Sequence, residues 1–289
     1  MASTIDRSML NVLTRAGRRS DAFLTHLNRV LASSAGVEAV LCTLCYTLYF
    51  VHARLLRLLE RRYERLALAL ATKASSSMLP GETVVATLEP PKSSLSETCG
   101  GIKALADLTD DFRFFTRLWG LATIYSWARD NYTKPPGDAI LKSLVWCQVL
   151  ISTIFQVLEN GAYLASKGVL RGEKWERRQP KWWVWSNRFW LMHVGLEALR
   201  LLRVRQLRYN EDFGAKTTET DGERVTVQSE ALKKKWKAGF YANAGWFPLT
   251  LQWSFEDQTD GPLNETWIGL FGMIPGIVAL REVWEQTRV

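Results

Sequence analysis

Three times in this chain of 289 residues a leucine-rich helical period carries arginine on its remaining faces, which restricts the fold to helices with one apolar stripe and a basic surface. The first covers residues 4–34, where Met9, Leu10, Leu13, Phe23, Leu24, Leu27, Val30 and Leu31 recur at helical spacing, with Arg15, Arg18 and Arg19 among the bases between them. The second is the latter half of a helix expected over 37–73, with Leu55, Leu59, Tyr63, Leu66 and Leu70 on one face and Arg54, Arg57, Arg61 and Arg65 elsewhere. The third runs from Phe189 to Arg208, where Leu196, Leu199, Leu202 and Leu207 alternate with Arg200, Arg203, Arg205 and Arg208. A basic amphipathic helix of this kind lies in the lipid headgroup plane with its apolar face sunk about 5–10 Å, and inserting it into one leaflet favours curvature. The alternative for any one of them is a core helix with a solvated basic face.

The formal charge of +8 fits an anionic partner, and thirteen tryptophans favour the water–lipid boundary over nucleic acid, for which no binding module is recognisable. Anionic membrane lipids are therefore the expected partner, with no nucleic acid. Trp175, Trp182, Trp183, Trp185 and Trp190 stand close together and are read as interface aromatics on a polar connection.

Breakers divide the chain into amphipathic helices over 1–73, a Ser/Pro/Gly-rich linker over 74–101, a central helical region over 102–208, a polar loop over 209–231 and an aromatic, apolar segment over 232–289. The fold class expected is all-α, a membrane-associated bundle with one or two short membrane segments. A comfortable crossing takes about 20 apolar residues. Ser143 to Leu158 and Trp267 to Leu280 fall short of it, so shallow insertion is expected. On the second of these, Gly269, Gly272 and Gly276 have the small-residue spacing that lets membrane helices touch; a core helix bent at Pro275 is the other reading.

Nothing in the chain assembles a catalytic site. His26, His52 and His193 lack metal-ligand spacing, Cys42 and Cys45 stand in an apolar run without a second pair, and neither a phosphate-binding loop nor a nucleophile elbow is present. No catalytic residue, metal or cofactor is expected. Cys42, Cys45, Cys99 and Cys147 form no disulfide framework, so a cytosol-facing location is expected.

Several stretches resemble the peroxin-eleven family. Leu13-Thr14-Arg15-Ala16-Gly17-Arg18-Arg19-Ser20-Asp21 resembles its N-terminal helix, glycine-arginine turn and following helix, although many members carry an acid–lysine pair where this chain has Arg19-Ser20. Asp111-Phe112-Arg113-Phe114-Phe115-Thr116-Arg117-Leu118 resembles its central arginine-aromatic motif. The run from Leu158 to Leu170 and the glycine-rich terminal helix resemble its later segments, and the likeness is greatest to fungal C-type members. The resemblance implies a peroxisomal membrane protein that promotes elongation, proliferation and fission, with both termini in the cytosol, self-association into a homo-oligomer, and a dynamin-type fission machinery as partner. Two other readings stay open: a metabolite pore, and a mitochondrial protein whose first 34 residues are a presequence.

Overall fold

The computed structural model describes residues 7–75, 93–214 and 222–288. Among them regular structure is helical throughout: α1 (Arg7–Leu31), α2 (Ser34–Ser75), α3 (Ser94–Thr116), α4 (Gly120–Thr133), α5 (Ala139–Ser166), α6 (Glu173–Gly214), α7 (Gly222–Gln252) and α8 (Glu265–Gln286). Two side-chain hydroxyls, a carboxylate and an amide fix where four of these helices begin. Ser33, Ser93, Asp138 and Asn264 accept from the backbone N–H three residues on, opening α2, α3, α5 and α8. Pro135-Pro136-Gly137 separates α4 from α5 as expected, and just past the end of α5 stands Gly168, whose φ of +71° is the left-handed conformation that glycine adopts without strain.

Three expectations change. The expected linker 74–101 is shorter at its far end, because α3 starts at Ser94. The Trp-rich connection is not a connection: residues 173–188 form the first turns of a continuous α6 that tolerates Pro180 inside it. Likewise α7 takes in much of the aromatic, turn-rich segment, with Pro248 inside the helix.

Helices α2 to α8, α4 apart, run up and down and close on themselves. Glu38 and Cys45 of α2 meet Arg113 and Ala106 of α3, so the two are antiparallel. The pairs Gln148–Glu197 and Ser152–His193 set α5 against α6 in the same sense. Trp190 of α6 packs on Trp246 of α7, Gly245 of α7 faces Pro275 of α8, and Gly272 of α8 faces Tyr46 of α2. Tyr163 of α5 donates to the Asp111 carbonyl of α3 and completes the ring.

Asp138 ties the α5 cap to α6. Its carboxylate accepts from Leu141 N–H at 2.9 Å and from Arg203 Nε at 3.2 Å and Nη2 at 2.7 Å. The Arg203 bond, then the capping bond, hold this carboxyl below the usual carboxylate range. A depressed folded-state pKa contributes stability above the unfolded carboxylate range, and that stability is lost as pH falls through the folded value. Acidification from about pH 6 to about pH 2.5 should therefore lower the thermal midpoint of the protein more than that of Asp138→Asn, whose side chain still caps the helix.

Candidate membrane interface and buried charge network

In water, apolar side chains go inside and charges stay out. On three of its helices this bundle reverses that order in part. On α3, Leu105, Leu108, Phe112, Phe115 and, one turn on, Trp119 form an exposed stripe at i, i+3, i+7 and i+10 spacing, with Leu108 66% accessible. The opposite face of α3 carries Lys103, Asp110, Arg113 and Arg117, and Arg113 is 1% accessible. On α5, Trp146, Leu150 and Val157 face outward while Gln148, Gln156 and Glu159 are buried. On α8, Trp267, Leu270 and Ile277 face outward and the three glycines inward. Among lipid tails no hydrophobic force drives helices together, so small residues, close packing and interhelical hydrogen bonds hold them, and ionisable groups turn to the interior.

The interior polar groups are joined into a network. Arg113 donates from Nε and Nη2 to Glu38 Oε1 at 3.1 and 2.9 Å, and its Nη1 lies 3.6 Å from Asp110. Its guanidinium also sits over the Tyr46 ring, 5.4 Å from the centroid. Arg117 Nε lies 3.2 Å from Glu159 Oε1, and outside this interior set the half-exposed Lys167 is ion-paired with Asp111. Gln156 donates to the Arg117 carbonyl and Asn160 to that of Leu118, which ties the start of α4 to α5. Between α2, α3, α5, α6 and α8 lies a partly open cavity of about 300 Å³, lined in part by Tyr46, Asp110, Arg113, Arg117, Glu159 and Trp183.

Among the described residues, three helices are long and apolar enough, by length and composition, to cross a membrane: α2, α5 and α8. α5 and α8 contain the two segments named from sequence; α2 is added, because its first half is apolar and the helix continues unbroken. The glycines of α8 lie where it crosses α2. A Cβ at Gly269 would stand 2.6 Å from the Phe50 nitrogen, one at Gly272 2.2 Å from the Tyr46 ring and one at Gly276 2.9 Å from the Thr43 nitrogen. Backbone contact within one chain is thus the use made of this spacing. Pro275 lies against Gly245 of α7.

The membrane-binding face expected on α1 is divided. Val30 is fully buried and Phe23, itself still half exposed, meets the Trp284 ring, while the His26 ring bonds to the Trp284 carbonyl and the Thr287 hydroxyl. Leu24 and Leu31 are exposed, Leu27 is half-buried and Arg18 is exposed. The side chains of Met9, Leu10, Leu13, Arg15 and Arg19 lie outside the described ones. α1 thus sits by the C-terminal end of α8. The basic half of α2 runs past the opposite end, where His52 faces Glu265, and no described residue of α2 beyond Leu59 is buried.

Of the five interface tryptophans, Trp185 is exposed and the others pack on protein. Trp190 lies among Phe155, Trp246 and Trp253, Trp183 stands edge-on to Phe114, and Trp182 fills the space above Gly161 and meets Trp175. Sequence reasoning missed the inverted α3. Its signal was present: the apolar period 105, 108, 112, 115 stands opposite Asp110, Arg113 and Arg117.

A family model described as peroxisomal biogenesis factor 11 matches residues 110–284, which takes in Arg113, Arg117 and Glu159, the helices α4 to α7 and most of α8. An uncharacterized protein of Schizosaccharomyces pombe is 25% identical over 179 residues, 62% of this chain and 74% of that one. No solved structure matches.

Proposed function

The chain belongs to the peroxisomal biogenesis factor 11 family, and from that premise we propose that it binds and remodels the bilayer to elongate peroxisomes ahead of fission. At the level of the family it is a peroxisomal membrane protein that takes part in peroxisome proliferation, and the family is one of biogenesis factors rather than enzymes. The observation that carries the remodelling is α1, a helix whose apolar face is half used to dock on α8 and half exposed at Leu24 and Leu31. Docking holds the helix at one end of the membrane-crossing bundle, so the exposed edge wedges into one leaflet. The basic half of α2 meets the other leaflet, and wedges in opposite leaflets offset each other, so curvature follows the more deeply inserted of the two. Anionic lipids, a second copy of the chain and a dynamin-type fission machinery are the partners of this reading.

Leu24→Glu with Leu31→Glu should abolish tubulation of anionic vesicles by the purified protein, at unchanged helicity because both side chains are exposed. Tubulation equal to that of the unmodified protein would refute the wedge. The docking of Phe23, His26 and Val30 makes this helix part of the folded unit, which speaks against a presequence.

A second reading, a solute pore, is favoured by the partly open cavity that α2, α3, α5, α6 and α8 line with charged side chains. Solute flux through reconstituted vesicles, lost in Glu159→Gln and intact in Leu24→Glu/Leu31→Glu, would support the pore and separate it from the wedge.

A further inference from the structure

We propose that the groove between α7 and α8 is a binding site for one anionic glycerophospholipid, its phosphate on Lys235 and Lys237 and an acyl chain along Ala238, Tyr241 and Val278. The groove has a volume of about 520 Å³. It rests on the reading of the bundle as membrane-embedded and is independent of the wedge on α1.

Depth is the first argument. α7 has no charged residue from Ala238 to Phe255, and α8 has none from Thr266 to Leu280. The two helices are antiparallel, since Gly245 faces Pro275 and Lys234 is ion-paired with Glu285. Lys237 and Arg281, the first charges beyond those stretches, therefore fall at one level, where the hydrocarbon ends and the headgroups begin. Phe240 and Ile277, the sequence neighbours of the groove residues Tyr241 and Val278, are both exposed.

Charge is the second. Lys233, Lys234, Lys235, Lys237 and Arg281 stand against Glu230, Glu282 and Glu285, which leaves the mouth cationic. Lys233 is held by Glu230 at 3.6 Å, and Lys234 and Arg281 both turn to Glu285. Lys235 and Lys237 are exposed and make no ion pair among the described residues. Two unpaired amines beside an apolar groove at headgroup depth match a lipid phosphate with a chain attached, as basic pockets between membrane helices do. An acidic peptide would satisfy the amines but leave the groove empty.

The test is native mass spectrometry of the full chain released from phosphatidylcholine nanodiscs that contain a minor share of phosphatidic acid. One phosphatidic acid retained per chain is expected. Lys235→Gln with Lys237→Gln should weaken that retention by about tenfold or more, at on the order of 1 kcal/mol for each amine. Lys233→Gln, whose amine is already paired, should leave it intact, and so should Leu24→Glu/Leu31→Glu, which removes the wedge alone. Equal retention in the double lysine variant, equal loss in Lys233→Gln, or displacement of the lipid by polyglutamate would each overturn the site.

Discussion

Gly272→Leu should lower the stability of the protein by about 3 kcal/mol, the upper end for overpacked cores. The reason lies in the crossing of α2 and α8. A Cβ at Gly272 would stand 2.2 to 2.5 Å from three atoms of the Tyr46 ring, and Tyr46 is itself buried between Trp246 and the Arg113 guanidinium, so the ring cannot swing aside. The helices must separate, and the contacts at Gly269 with Phe50 and Gly276 with Thr43 separate with them. In lipid no hydrophobic term compensates for lost packing. The thermal midpoint in detergent reads the effect, and Ile277→Leu, which changes an exposed side chain of the same helix, should leave it unmoved.

Arg113→Met is the second large effect. Removing one member of a buried charge cluster costs about 3–5 kcal/mol, most of it from the partners left behind. Here those are Glu38, whose Oε1 accepts both Arg113 bonds while its Oε2 has no hydrogen-bond partner, and Asp110. Neutralising them should restore most of the loss, so Arg113→Met/Asp110→Asn/Glu38→Gln should be more stable than Arg113→Met alone. A triple variant no more stable than the single one would show that Arg113 acts through its packing on Tyr46 instead of its charge. Coupling of this size identifies a network, since sites without shared partners add.

Much of the fold is written in local pattern. The helical period of residues 4–34, the break at Pro135-Pro136-Gly137 and the apolar run of α8 are visible because each depends on neighbours in sequence. What was not legible depends on partners far away. Trp182, Trp183 and Trp190 look like boundary residues by composition, yet their partners are Gly161, Phe114 and Trp246, on three other helices. Gly272-x-x-x-Gly276 declares a close approach without saying to what, and only the fold supplies Tyr46 and Thr43.

The inversion of α3 has a different cause. Periodicity divides a helix into an apolar and a polar face but does not say which of them meets solvent, since the same pattern suits a helix in water with Phe112 inside and one in lipid with Arg113 inside. Length conceals α2 as well: its apolar first half runs without a break into the arginine-rich half, so the sequence marks no boundary for a membrane segment there. The divided face of α1 combines both effects, because Val30 and Leu24 share one apolar arc and only Trp284, at the far end of the chain, separates the docked edge from the free one.

The most direct test of the inverted bundle is lipid quenching at its surface. In Cys147→Ser protein, which removes the exposed cysteine, single cysteines at Leu108, Phe115, Leu150 and Ile277 carry a fluorescent label in reconstituted vesicles containing brominated lipid. All four labels should be quenched by the acyl-chain bromines and be unreachable for an aqueous quencher. Labels quenched from water at Leu108 and Phe115 would contradict the account, because the charged face of α3 would then have no reason to be inside.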